Sequence, residues 1–410
     1  MDKTPRGLRL HIAILGRRNA GKSSLINALT NQDIALVSPV PGTTTDPVYK
    51  AMEVPPLGPV MLIDTAGIDD EGELGQKRVK RTMKVLDTTD VALLVVDGRL
   101  GMNGYDEELV SLLAQRKIPW LLVYTRGDLV EENRKARLSR EHRAKYAVPV
   151  LWVSSVTGEG LEKVKELLAG IQPADWQAPA IVGDLVAPGE MILLVTPIDA
   201  AAPKGRLILP QVQTIRDILD HDCQCIVCKD TRLKKALERL KSPPALVVTD
   251  SQVFGRVAAL VPPEIPLTSF SILMARYKGD LAVLVRGAEA VASLKPGDRV
   301  LISEACTHRC LAEDIGRVKI PRWLEQAVGG SLQFDHTSGY GFPEDLERYK
   351  LVVHCGGCML NRREMLHRIQ AVTGKGIPIV NYGVLIAYLQ GILPRALAPF
   401  AGKEKGYEVL

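Results

Sequence analysis

Leu10-His11-Ile12-Ala13-Ile14-Leu15-Gly16-Arg17-Arg18-Asn19-Ala20-Gly21-Lys22-Ser23 is the stretch that decides the fold. A β-rich apolar run flows into a complete GxxxxGK[ST] signature, and Lys22 to Leu29 continues it with helical spacing. The glycines let backbone N–H groups curl around phosphate oxygens, and the positive end of the following helix adds to the pull. Asn19, Ala20, Gly21, Lys22, Ser23 and Ser24 are therefore expected to cradle a nucleotide. Lys22 would reach the β and γ phosphates as a catalytic cation, and the Ser23 hydroxyl would ligate magnesium.

Two further motifs follow in the order a nucleotide triphosphatase requires. Asp64-Thr65-Ala66-Gly67 closes the run Val60 to Ile63, which puts the Asp64 carboxylate beside the phosphate loop and its magnesium, with the Gly67 N–H facing a γ-phosphate. Between the two lies Pro41-Gly42-Thr43-Thr44-Thr45-Asp46, a polar loop with a threonine available as a second magnesium ligand. Apolar runs at Val91 to Val96, Trp120 to Tyr124 and Val148 to Val153 alternate with helical patterns such as Leu161 to Leu168. That alternation predicts a doubly wound, mostly parallel α/β sheet.

Gln172 to Pro179, with two prolines and no periodicity, reads as a linker. Beyond it, runs at Met191 to Val195, Gln224 to Val227 and Ala245 to Val248 alternate with helices at Gln211 to Leu219 and Arg232 to Leu240, a smaller α/β unit. A second proline-dense break, Val261-Pro262-Pro263-Glu264-Ile265-Pro266, precedes runs at Val300 to Ser303, Tyr349 to Val353 and Ile377 to Val380. The expected segments are 1–172, 180–262 and 263–410.

The first segment resembles the translation-factor class of GTPases, and within it the tRNA-modification and ribosome-assembly branch, on Asn19 in the phosphate loop and the Gly42-Thr43-Thr44 switch. The resemblance implies GTP and GDP as ligands, a potassium ion held with the help of Asn19, and Thr44 on magnesium. Ile68 stands where many small GTPases carry a water-orienting glutamine, so hydrolysis is expected to be slow and potassium-assisted. Thr125-Arg126-Gly127-Asp128 aligns with the guanine-reading Asn-Lys-x-Asp motif: Asp128 keeps the carboxylate, whereas Thr125 lacks the carboxamide. Ser154-Ser155 matches the loop whose backbone supports the base.

Seven cysteines are an odd number, and five fall in two tight clusters, unlike a secreted disulfide framework. Cys306-Thr307-His308 and His354-Cys355-Gly356-Gly357-Cys358 each follow an apolar run, at strand edges where loops of parallel sheets converge on ligands. Three thiolates suit three irons of a cubane, with His308 or His354 as the fourth ligand; zinc would take the same donors in a closed tetrahedron. Cys223-Gln224-Cys225-Ile226-Val227-Cys228 has metal-like spacing, but its alternation reads as a strand of packed small hydrophobes. Cys310 is unassigned, and His221 and His336 read as polar-loop residues.

With a GTPase segment in front, the Cys-x-His and His-Cys-x-x-Cys pair resembles the HydF family, the maturation GTPases of FeFe-hydrogenases, over essentially the whole chain. The resemblance implies a GTP-binding domain, a homodimerisation domain and a 4Fe-4S cluster domain. Cys306, Cys355 and Cys358 would be the cluster ligands, with His308 and His354 as candidates for an exchangeable site. It further implies a scaffold that receives a diiron precursor built with two radical-SAM maturases and hands it to apo FeFe-hydrogenase.

Composition bounds these readings. Hydrophobic residues at 46% and charged residues at 24% are those of an ordinary folded protein. A net charge of +5 over 410 residues is too dilute to demand a polyanion. No apolar run approaches the roughly 20 residues of a membrane helix, and Met1 to Arg6 carries no signal core, so a cytoplasmic chain is expected. An RNA-binding GTPase of ribosome assembly or tRNA modification, the rival reading, would need a basic RNA module; the C-terminal region shows no Lys/Arg-dense stripe with aromatics, and no nucleic-acid or membrane partner is expected. A zinc-binding regulatory GTPase is the third reading.

Overall fold

The computed structural model describes residues 4–30, 48–65, 82–171, 180–198, 205, 207–305, 314–339, 342–343 and 345–402. The chain divides into two compact units, Met1–Gln177 and Ala178–Leu410. Each is an α/β structure, as the alternation of runs and helical patterns predicts.

In the first unit six strands, β1 (Leu10–Leu15), β2 (Val48–Val54), β3 (Gly58–Asp64), β4 (Val91–Asp97), β5 (Trp120–Thr125) and β6 (Val150–Trp152), form one sheet in the order β2-β3-β1-β4-β5-β6. All neighbours are parallel except β2 with β3. Every residue of β1, β4 and β5 is buried, because helices cover both faces of a parallel sheet and an unbroken apolar run is what such a strand needs. Alternate residues feed two cores: Ile12, Ile14, Leu93 and Val95 to one face, Ala13, Leu15, Leu94 and Val96 to the other. Burying each larger aliphatic side chain contributes roughly 1.5–3 kcal/mol before chain entropy is counted. The reading of the sequence has no counterpart to β2, an edge strand whose Lys50-Ala51-Met52-Glu53 alternates in exposure and which pairs on one side only.

The second unit holds two four-stranded, all-parallel sheets. β7 (Met191–Val195), β8 (Gln224–Cys228), β9 (Leu246–Thr249) and β10 (Leu267–Ser269) run in the order β10-β9-β7-β8. β11 (Arg299–Glu304), β12 (Gln333–Ser338), β13 (Leu351–His354) and β14 (Ile379–Asn381) run in the order β12-β11-β13-β14. The proline-dense stretch 261–266 leads directly into β10, which pairs with β9, so the second sheet extends past that break. One continuous hydrophobic core joins both sheets of this unit. His336, read as a loop residue, lies in the polar edge strand β12.

Candidate functional site

The phosphate loop is held in place by close packing that only glycine permits. Gly16 has φ +136°, and a Cβ there would lie 2.2 Å from the Val95 carbonyl oxygen of β4. Gly21, at φ +89°, sits against the Thr125 side chain, and Asn19 takes the left-handed conformation at φ 60°. Helix Lys22–Thr30 starts directly after, with Ser23 and Ser24 exposed at its N-terminus. The buried Lys22 ammonium donates to the Gly16 and Arg17 carbonyls at 2.8 and 2.7 Å, folded back along the loop it serves. Arg17 anchors the loop further, donating to the Gly101 carbonyl at 2.6 Å and lying 3.4 Å from the buried Asp106 carboxylate.

Asp64 ends β3 beside Lys22. Burial pushes its carboxyl up to about 6, and the Lys22 charge opposes that rise. Among the described residues one Asp64 oxygen is buried without a hydrogen-bond partner, an acceptor well suited to a cation. These groups line a cavity of about 750 Å³ that also reaches Asp97, Arg99, Leu100 and Arg126.

The segment aligned with the guanine-reading motif behaves differently at each position. Thr125 is 2% exposed, and its hydroxyl donates to the Ala20 carbonyl at 2.7 Å, so it braces the phosphate loop from below. Arg126, left-handed at φ 56°, donates to the Asp97 carboxylate and, at 3.2 Å, to the Asn19 carbonyl. Burial alone would raise Asp97, but Arg99 and Arg126 override it and hold the carboxyl below its ordinary value. Asp128 is exposed in the turn Gly127–Leu129. The Gly127 N–H donates to the Val153 carbonyl, tying this turn to the Ser154-Ser155 loop, where the buried Ser154 hydroxyl accepts from the N–H groups of Val156 and Thr157. Thr44 and Gly67 lie outside the described residues. Asp97 was not singled out from sequence; its position at the end of a fully apolar run, directly before Gly98, is the signal that could have found it.

In the second unit, β11 and β13 are adjacent and parallel, with Ser303 opposite His354 in register. That pairing brings the loop after β13 to the loop after β11: the Cys355 N–H donates to the Ser303 carbonyl at 2.9 Å, and the Ala305 N–H donates to Cys355 Sγ at 3.1 Å. Ala305 is the chain neighbour of Cys306, which, with His308 and Cys310, lies outside the described residues. Gly357 is buried at φ +59°, a conformation glycine takes without strain. The N–H groups of Gly356, Gly357, Cys358 and Met359 have no protein acceptor among the described residues. Cys355 and Cys358 are partly exposed and form no disulfide among the described residues. Lys278 lies fully buried beneath this loop, its ammonium pushed down to about 8 by burial against the pull of Cys358, Cys355 and Glu364. Sequence reading passed over it because it ends an apolar helical run and looks like an ordinary solvated cation.

His354 has protein partners at both ring nitrogens. It is fully buried, and Arg368, which can only donate, approaches Nε2 at 3.3 Å, so Nε2 accepts and the ring proton sits on Nδ1, which donates to the Cys355 carbonyl at 2.7 Å. Burial, with the Arg368 charge adding to it, pushes the ring down to about 4. Both nitrogens are committed behind the loop. Among the described residues no group of three or more His, Cys, Asp or Glu side chains is gathered for a metal. Cys225 and Cys228 pack against the core, where burial raises their thiols, and Cys223 is buried. No helix among the described residues is long and apolar enough to cross a membrane.

Comparison with known proteins matches three stretches of the chain. Residues 11–126 match the family described as 50S ribosome-binding GTPase, 181–279 the hydrogen maturase F dimerization domain, and 282–399 the hydrogen maturase F tetramerization domain. Among curated relatives, GTPase Der of Kosmotoga olearia is 34% identical over 39% of this chain and 38% of its own length. The tRNA modification GTPase MnmE of Nitrosomonas europaea is 32% identical over 41% of this chain and 36% of its own length. The chain thus spans little more than a third of the length of these relatives. The crystal structure of Era from Aquifex aeolicus aligns with 16% identity and a TM-score of 0.36, covering 82% of this chain and 95% of that one.

Proposed function

The chain belongs to the hydrogen maturase F family of hydrogenase-maturation GTPases, and from that premise we propose that it hydrolyses GTP in its first unit, carries an iron–sulfur cluster in its second, and serves as scaffold and carrier of the diiron precursor destined for apo FeFe-hydrogenase. The observation that carries the cluster reading is the Cys355 to Met359 loop: one thiol already accepts the N–H of Ala305, just past the neighbouring strand, and four more N–H groups have no acceptor among the described residues. Amide N–H groups around thiolates are the donors a cluster's sulfurs use. Cys306, Cys355 and Cys358 would hold three irons. With His354 engaged on both sides by Cys355 and Arg368, His308 is the imidazole candidate for the exchangeable position. A 4Fe-4S cluster there would supply the anchoring iron for the transient diiron cargo.

In the first unit, Lys22 would leave its two loop carbonyls for the β and γ phosphates. Ser23, Thr44 and Asp64 would hold magnesium, and the raised Asp64 carboxyl would ionise as the cation arrives. Gly67 would donate its N–H to the γ-phosphate, and Asp128 would accept from guanine. Thr125 would act through the phosphate loop, while Asn19, Ala20, Gly21, Ser24 and the Ser154-Ser155 loop would complete the nucleotide contacts. Potassium near Asn19 would take the role a glutamine fills elsewhere, so hydrolysis should be faster in potassium than in sodium. Equal rates would remove the ion from the reading.

The dimerization and tetramerization matches support an oligomer, of which the expected homodimer is one level. We propose 1–172, 180–262 and 263–410 as nucleotide, dimerisation and cluster segments of a cytoplasmic protein that works with two radical-SAM maturases. The RNA-binding rival draws on the first segment alone. Anaerobic reconstitution tests the whole: about four irons and four sulfides per chain, with an iron–sulfur signal in electron paramagnetic resonance after reduction, are expected. Stoichiometric zinc, or no metal, would overturn it.

A further inference from the structure

Helix Phe270–Lys278 ends on a lysine that has no route to water: Lys278 is 1% exposed. Its ammonium donates to the carbonyls of Cys358 and Leu360, each at 2.8 Å, and of Gly357 at 3.4 Å. A lysine has three N–H donors, and three carbonyls of one loop take them. Among the described residues no carboxylate lies within ion-pair distance of it. The helix end is itself fixed, because Arg362 donates to the carbonyls of Arg276, Tyr277 and Gly279 on either side of Lys278.

A buried ammonium without a counter-ion is costly, and fixed carbonyl dipoles meet only part of that cost. Two consequences follow from its place. A trans peptide points its N–H opposite its C=O, so drawing the carbonyls of Gly357 and Cys358 toward Lys278 turns the N–H groups of Cys358 and Met359 to the other side of the loop. The loop is thereby set with its donors outward before any metal arrives. A fixed positive charge beneath two cysteines also favours the more negative state of whatever anion they carry.

We propose that Lys278 is a positioning residue for the cysteine loop and the fixed charge that stabilises the reduced form of the cluster bound there. This rests on the cluster reading above. On reduction the cluster takes up one electron from an external donor, no bond is made or broken at Lys278, and its ammonium stays in place as the charge of the cluster falls by one.

The test uses the full chain in two forms. In the metal-free protein, hydrogen exchange followed by mass spectrometry should show the hydrogen-bonded amides of the 355–361 segment, those of Cys355 and Leu360, exchanging about tenfold faster or more in Lys278→Met, while β7 keeps its protection as an internal check of folding. After anaerobic reconstitution, the midpoint potential read in a mediated titration with dithionite should be more negative in Lys278→Met than in the wild-type chain, and Lys278→Arg should bring it back. Unchanged loop exchange in a folded Lys278→Met protein overturns the positioning role, and an unchanged potential overturns the charge role. If Lys278→Met loses β7 protection, Lys278→Gln, neutral but still a donor, decides: a wild-type potential refutes the charge role, and a lowered one supports it. A wild-type chain that takes up no cluster sinks the cluster reading, while loop exchange still decides whether Lys278 positions the loop.

Discussion

Replacing Thr125 by Val exchanges a hydroxyl for a methyl of nearly the same size at a site that is 2% exposed. The change removes the donor to the Ala20 carbonyl at 2.7 Å and the weaker approach to the Val96 carbonyl at 3.3 Å. Leaving a buried acceptor short of its donor costs about 1–3 kcal/mol, whereas the added methyl recovers only part of that. Ala20 belongs to the phosphate loop, and Gly21 beside it rests on the same threonine, with an ideal Cβ position 3.2 Å from the hydroxyl. The loss should therefore reach the nucleotide. We expect Thr125→Val to weaken GDP binding roughly tenfold, the equivalent of about 1.4 kcal/mol. It should also lower the urea midpoint of the first unit without changing the slope. Thr125→Ser, which keeps the donor, should restore most of both. Fluorescent-GDP titration and urea unfolding followed in parallel would read the two effects. Wild-type affinity and midpoint in Thr125→Val would show that the hydroxyl does not brace the loop.

Lys22→Ala should cut GTP hydrolysis by about a hundredfold or more while iron content stays at the wild-type level; joint loss of iron would show that the two functions are not separable. Gly16→Ala should destabilise the first unit by several kcal/mol, because the new Cβ would lie 2.2 Å from the Val95 carbonyl oxygen at φ +136°; a wild-type melting temperature would contradict this. His11, buried and pushed down to about 4 mainly by burial, is neutral in the fold. The unfolded chain therefore takes up the extra proton between about pH 6.5 and 4, and stability falls as pH drops through that window, by on the order of 2–3 kcal/mol. Urea midpoints across it should be flatter for His11→Gln, and an unchanged slope would refute the assignment. Cys355→Ser should lose the cluster and Cys228→Ser should keep it; equal iron loss in two folded variants would make the β8 cysteines ligands.

What the sequence disclosed was set by local periodicity. β1, β4, β5, β7, β11 and β13 are apolar runs because both faces of their sheets are covered, and such runs can be read without knowing their partners. β2 and β12 escaped because an edge strand buries one side only and mixes polar with apolar residues. The phosphate loop is legible since its chemistry is contiguous. Thr125 was aligned with a base-reading position, yet its hydroxyl turns to Ala20, a partner in another loop that spacing does not reveal. His354 looked like a ligand by its place next to Cys355; only the arrival of Arg368 from helix Arg362–Thr373 shows that its second nitrogen is taken. Lys278 reaches carbonyls some eighty positions ahead, a contact invisible along the chain.

That reach has a consequence for how the chain can be cut and recombined. Lys278 falls in the stretch matched as a dimerization domain, and the loop it supports falls in the stretch matched as a tetramerization domain. The two stretches also share one hydrophobic core. A chimera that grafts 282–399 onto another protein would carry the cysteines without the lysine and with one side of the core bare. The workable exchange is 178–410 entire, so the stretch from the linker to the C-terminus is the smallest piece in which the cysteine loop retains its floor.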